Sequence, residues 1–223
     1  MDSSATRLNS LIDASLLNKI QRVSRSIPLP AQWRLLKLVL IFNDVIMAGI
    51  AFRLAFFIRF ELDLPIFYLE SDPEVAFYQR VVLVLIPLWL MIFAAGGLYE
   101  RENLLGGTQE YSLVFNATAV SMITVIAVGF FEPNFIIARG WLLLAWFFVF
   151  FLTALGRFIL RRVVYFLRQY GFFLSTAIVV GANDEGISLA RQLLRWKTSG
   201  LHVLGFVDEK LPTGTKIVEN LHA

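Results

Sequence analysis

The chain has 223 residues, 57% of them hydrophobic, with 21 phenylalanines and a mean hydropathy of +0.68. That is more apolar than a soluble domain of this size, so a single water-facing globule is a poor reading. A net charge of only +3 gives no reason to invoke nucleic acid, and the absence of cysteine excludes disulfides, thiolate metal sites and cysteine nucleophiles.

Residues 1–37 read as a cytoplasmic amphipathic lead. Leu8, Leu11, Ile12, Leu16, Ile20 and Val23 recur at three- and four-residue steps, with Lys19, Arg22 and Arg25 among them. This pattern predicts a helix lying on a membrane surface, its cations towards anionic headgroups. Pro28 and Pro30 end it before Trp33. No short apolar region with a small-residue cleavage site precedes it, so a cleaved signal peptide is not expected.

Four apolar blocks follow, at 38–58, 81–99, 112–131 and 141–160. A helix crossing hydrocarbon needs about 20 mostly apolar residues. The second and third blocks carry no charge, and the fourth carries only Arg157. The first holds Asn43, Asp44 and Arg53 but keeps the length and aliphatic content of a span. Lys and Arg beside span ends set orientation. Lys19, Arg22, Arg25, Arg34 and Lys37 precede the first span, and Arg161, Arg162 and Arg168 follow the fourth, which places both termini in the cytoplasm. The loop after the first span carries Glu61, Asp63, Glu70, Asp72 and Glu74 against Arg59 and Arg80, and suits the outer face. Trp33, Trp141, Tyr99 and Tyr111 fall at the expected interfaces, where amphipathic rings are favoured.

Charges inside a span are costly unless paired. Asp44 lies one to two turns inside the cytoplasmic end of span one, and Arg157 about one turn inside that of span four. The matched depth predicts an interhelical Asp44–Arg157 pair. Arg53, nine residues beyond Asp44, is on the opposite helix face and should reach the outer surface. A transport pathway through Asp44 and Arg53 is the alternative. The charges lie towards the span ends rather than at mid-depth, which counts against it.

A basic linker, 161–174, leads to a segment of different character, 175–223. Ser175 to Val180 is a short apolar run fit for a buried parallel strand. Gly181 to Gly186 forms a glycine turn, a helical pattern runs to about Trp196, and Leu201 to Val207 makes a second strand ending at Asp208. This is a Rossmann-like βαβ unit. The candidate nucleotide-binding residues are Gly181, Asn183, Gly186 and Asp208: a glycine turn lets backbone approach a pyrophosphate, and an acid after the second strand can accept from ribose. Asn183 stands where the fingerprint has its middle glycine, and Asp184 and Glu185 bring negative charge to the helix start. A βαβ unit that binds no dinucleotide is therefore the alternative. Only Glu209 to Ala223 follow, too little to complete a doubly wound sheet, so a truncated domain is expected. The fold expected overall is an all-α four-helix membrane bundle followed by this truncated α/β unit.

Several local motifs carry a resemblance. They are Arg59-Phe60 ending span one, Gly97-Leu98-Tyr99 closing span two, Arg139-Gly140-Trp141 opening span four and Gly156-Arg157-Phe158 with Arg161-Arg162 closing it. The soluble segment adds I-V-V-G-A-N-D-E-G and G-F-V-D-E-K-L-P-T-G-T. Together they resemble the N-terminal half of bacterial polyprenyl-phosphate phosphoglycosyl transferases, which start exopolysaccharide, capsule or O-antigen synthesis. The resemblance implies a multi-pass protein of the bacterial inner membrane, the anchoring and regulatory half of an enzyme that moves a sugar phosphate from a UDP-sugar to undecaprenyl phosphate. It assigns catalysis and Mg²⁺ to a further C-terminal domain, so no catalytic residue, metal or cofactor is expected in this chain. The implied partners are the lipid bilayer, that domain and, through it, undecaprenyl phosphate and the UDP-sugar, with homo-oligomers also open. Membrane-bound nucleotide-sugar 4,6-dehydratases share four spans and a similar βαβ unit and are the second reading. A small transporter or channel subunit is the third.

Overall fold

The computed structural model describes residues 26–62, 74–131, 137–196, 199–208, 215–218 and 221–222. The amphipathic lead expected before Ser26 lies outside them. The chain divides into two compact units, one of residues 36–161 and one joining the residues up to 35 with those from 162 onward.

Four long helices dominate: α1 (Leu29–Phe56), α2 (Val75–Ala95), α3 (Thr108–Phe131) and α4 (Arg139–Arg168). Each is long and apolar enough to cross a membrane, which indicates membrane association. Their boundaries differ from the apolar blocks. Pro28 is outside the helix and Pro30 falls in its first turn, where a missing N–H costs nothing, so α1 begins nine residues before the expected 38. A π-helical turn, Phe57–Glu61, ends it. The expected linker 161–174 is helical as far as Arg168, because R-R-V-V-Y-F-L-R contains no helix breaker.

Span two is shifted rather than lengthened, covering 75–95 where 81–99 was expected. Gly96 and Gly97 stop it. Gly97 has φ of +75°, Gly97 N–H donates to Ala94 O at 3.1 Å, and Leu98 N–H donates to Phe93 O at 3.0 Å. This pair of reversed bonds is a Schellman stop, which glycine adopts without Cβ strain. It turns Leu98 and Tyr99 back into the protein, where they are 1% and 6% exposed.

Within residues 36–161 the four helices share one apolar core. Ala48, Ala51 and Ala55 make α1 slender on its inner side, which permits close helix approach. Phe52 stacks on Trp141 at 5.7 Å between ring centroids and meets Trp89 edge-on at 5.5 Å. Trp141 and Tyr99, expected as interface rings, are thus core residues. The outer helix faces are unusual for water: Phe42, Leu83, Ile123 and Phe130 are 66%, 72%, 65% and 82% exposed. Such extensive bare apolar surface fits a hydrocarbon environment.

In the other unit, β1 (Ser175–Val180) pairs in parallel with β2 (Leu201–Val207), and α5 (Asp184–Arg195) covers one face of the pair. The register slips between Ala177 and Ile178, which pair with Val203 and Gly205 and leave Leu204 as the extra residue of a bulge. Residues three apart on a regular strand face opposite sides, yet Val203 and Phe206 are both buried with Val179 and Ala190 because of that bulge. Beyond β2, where only an approach to a further strand was expected, β3 (Lys216–Val218) and β4 (Leu221–His222) pair antiparallel. In the same unit, the start of α1 meets the turn after α4: Phe173 N–H donates to Gln32 Oε1 at 2.7 Å, and the Trp33 and Phe173 rings lie 5.6 Å apart.

Candidate functional site

The residues singled out from the sequence fall at two places, one in each unit. In the helical unit, α1 brings in Asp44 and α4 brings in Arg157, and both side chains are fully buried. Arg157 Nη2 lies 2.6 Å from Asp44 Oδ2. The same guanidinium also reaches two groups that the sequence reading passed over. Its Nη1 lies 3.1 Å from Glu110 Oε1 in the first turn of α3 and donates to the Leu98 carbonyl at 3.3 Å. The Tyr99 hydroxyl donates to Asp44 Oδ2 at 2.9 Å, and the Arg157 guanidinium lies 5.5 Å from the Tyr99 ring centre. Asn43 Nδ2 is 3.4 Å from Asp44 Oδ1.

One arginine therefore holds α1, the turn after α2, and α3 to α4. The fork geometry of guanidinium suits this, since its N–H groups point in several fixed directions at once. A buried charge must be paired and hydrogen-bonded to persist in a low-dielectric interior, and Arg157 is. Burial first, and then the Asp44 carboxylate, push the Tyr99 phenol up from its ordinary pKa, so Tyr99 stays a donor. One turn further along α4, Arg161 hydrogen-bonds Tyr111 and its guanidinium lies 4.9 Å from that ring. Gly156 makes the close approach of α1 and α4 feasible: a Cβ there would meet Asn43 Nδ2 at 2.7 Å. The arrangement is a clasp. It leaves Asp44 engaged by two donors at Oδ2.

Arg53 points elsewhere. It forms a two-point ion pair with Glu61 of the π-helical turn, Nη1 to Oε1 at 2.8 Å and Nη2 to Oε2 at 3.2 Å.

In the βαβ unit the structure brings Gly181, Asn183, Gly186 and Asp208 together around the turn between β1 and α5. Asn183 is the N-cap of α5, and its Oδ1 accepts the Gly186 N–H at 2.9 Å. Asp208 Oδ2 accepts the Ala182 N–H at 2.8 Å, tying the glycine turn to the end of β2. Gly181 N–H donates to the Val207 carbonyl at 2.8 Å. A Cβ on Gly186 would lie 2.2 Å from the Gly181 carbonyl oxygen, so this glycine serves helix-to-strand packing.

These contacts bear on whether the turn fits a nucleotide phosphate. The backbone donors that would cradle one are engaged: Gly181, Ala182 and Gly186 each donate within the protein. The helix-start donors with no bond of their own among the described residues are the N–H groups of Asn183, Asp184 and Glu185, and the last two residues bring carboxylates that repel an anion. The turn spends three backbone donors on its own packing and sets two carboxylates beside those that remain at the helix start, which counts against a bound pyrophosphate. The sequence carried a sign of this in Asn183, which reads equally well as a cap. No cluster of His, Cys, Asp or Glu able to hold a metal occurs among the described residues.

A family model described as a CoA-binding domain matches residues 94–222. That is more than half of the chain, and the chain belongs to this family. The match runs from the end of α2 through α3 and α4 to β4, and so joins two apolar helices to the βαβ unit. Domains of this family occur in polyprenyl-phosphate sugar transferases and polysaccharide biosynthesis proteins, and membership is consistent with a role in polysaccharide biosynthesis. No curated protein matches the chain.

Proposed function

We propose that the chain is the membrane-anchoring and regulatory half of a sugar transferase that moves a sugar phosphate from a UDP-sugar to undecaprenyl phosphate in exopolysaccharide, capsule or O-antigen synthesis. The observation that carries this reading is the family match itself, because it treats α3, α4 and the βαβ unit as one inherited block. A soluble cofactor-binding domain would have no use for two helices of bilayer-spanning length.

Two further features support it. The glycine turn spends its donors on its own packing, which suits an adaptor better than a nicotinamide site and weighs against the dehydratase reading. The buried charges are engaged in a clasp, which weighs against a transport pathway. The cations Arg34 and Lys37 near the start of α1, and Arg161, Arg162 and Arg168 near the end of α4, support an orientation with both of these helix ends on the cytoplasmic face of a bacterial inner membrane. There the chain would hold its catalytic partner, a Mg²⁺-dependent transferase domain, where a lipid phosphate and a soluble UDP-sugar meet.

The test is incorporation of labelled sugar phosphate from UDP-sugars into undecaprenyl phosphate. Membranes of the host lacking this chain should lose most of the incorporation for one sugar, and the purified 223-residue protein should show none with Mg²⁺. Unchanged incorporation in the deletion strain refutes the reading.

A further inference from the structure

A cleft of about 560 Å³ opens on the helical unit, between the end of α1, the π-helical turn and the start of α2, with Trp141 of α4 at its floor. Gly49, Phe52, Phe56 and Tyr78 line its walls, and the Arg53–Glu61 ion pair lies at its rim. Nothing in the clasp or the glycine turn uses it.

Its chemistry is that of an amphiphile site. The walls are aromatic and aliphatic. The Gly49 position is open: a Cβ built there meets no atom within 4 Å, so the missing side chain contributes the space. Trp141 is fully buried beneath these walls and closes the cleft on the inner side. The π-helical turn places Glu61 over Arg53, eight residues earlier, and such turns recur at functional sites.

The rim selects the occupant. Arg53 uses two of its five N–H donors on Glu61, and each Glu61 oxygen keeps accepting capacity. A headgroup carrying both a phosphate and a primary ammonium can therefore add to the pair without breaking it, phosphate on Arg53 and ammonium on Glu61. Leu83 and Val75, at the mouth, are 72% and 52% exposed, so the medium there is acyl chain rather than water. We infer that this cleft is a binding site for one chain of a phosphoethanolamine-headed membrane lipid, with its headgroup on the Arg53–Glu61 pair. The inference rests on the helices lying in a bilayer.

Native mass spectrometry of the full chain, extracted in mild detergent and incubated in turn with phosphatidylethanolamine, phosphatidylcholine, phosphatidylglycerol and diacylglycerol, tests it. One phosphatidylethanolamine should be retained per chain, at least fivefold over the other three. Gly49→Leu, which fills the cleft, should abolish that retention. Glu61→Gln should bring phosphatidylethanolamine down to the phosphatidylcholine level, because a quaternary ammonium has no N–H to donate. Arg53→Gln should weaken every phosphate-bearing lipid and leave diacylglycerol unchanged. Equal retention of all four lipids, no retained lipid, or a folded Gly49→Leu that binds as the parent does would overturn the inference. A chain that stays monomeric without detergent would instead sink the membrane reading beneath it.

Discussion

Arg157 is held by more than the partner its depth implied. Asp44 and Arg157 could be matched from sequence because each is expensive alone inside an apolar helix and both were expected about equally far from the same end of their spans. Glu110 and Tyr99 could not. Glu110 sits two residues before the apolar block at 112, outside every expected span, although α3 starts at Thr108 and buries it. Tyr99 looked like an interface ring until the reversal at Gly97 turned it inward. Removing one member of a buried ion pair costs about 3–5 kcal/mol, because the other is left uncompensated. Asp44→Asn and Arg157→Gln should each lower thermal stability in detergent strongly, and the double variant should lose less than their sum by about 1 kcal/mol or more. Additive losses would show that the two side chains act independently. Tyr99 adds a pH signature. Its folded-state pKa is raised, so the unfolded state releases the proton first as pH climbs past about 10. The stability it contributes is therefore complete below that pH and declines above it. Unfolding midpoints measured from pH 8 to 11 should fall less steeply for Tyr99→Phe than for the parent, from a lower start at neutral pH.

At the scale of the element, turns decide where side chains go. The strands at 175–180 and 201–207 were legible because short apolar runs bounded by glycine and acid have few other readings. The end of α2 was not, since Gly96-Gly97 sits inside an unbroken apolar stretch and only its φ of +75° reveals a stop. Gly97→Ala should cost about 1–2 kcal/mol through the left-handed backbone alone, and should weaken the clasp by displacing Leu98 and Tyr99. Its loss should not add to that of Arg157→Gln if the turn acts through the clasp. The glycine turn before α5 gives the converse lesson: the residues resemble a nucleotide loop, and their hydrogen bonds make it a capped corner. Asn183→Ala should destabilise the unit by about 1 kcal/mol, the usual worth of an N-cap. Calorimetry with CoA, NAD or a UDP-sugar should give no affinity tighter than about 1 mM, equivalent to about −4 kcal/mol. A submicromolar constant for any of the three would mean that the turn rearranges to free its donors.

Across the whole molecule, the number and order of the apolar helices were readable because a block of about 20 uniformly apolar residues is the signature of a helix long enough to span a membrane. Their ends were not, because a helix does not stop where hydrocarbon does; α4 carries Arg161, Arg162 and Arg168 on the same continuous helix as Arg157. Those cations, with Arg34 and Lys37, are the basis of the proposed orientation, while Glu61 and Glu74 flank the opposite end. The absence of cysteine makes this orientation directly measurable, since any thiol introduced is the only one. Leu62, 45% exposed after the π-helical turn, should react as Leu62→Cys with a membrane-impermeant maleimide in spheroplasts. Glu102→Cys in the turn between α2 and α3, and Leu204→Cys on β2, are also exposed positions and should react only after the membrane is opened. Labelling of Leu204→Cys in sealed spheroplasts would put the βαβ unit on the outer face, away from UDP-sugars, and no transferase-adaptor role would survive that result.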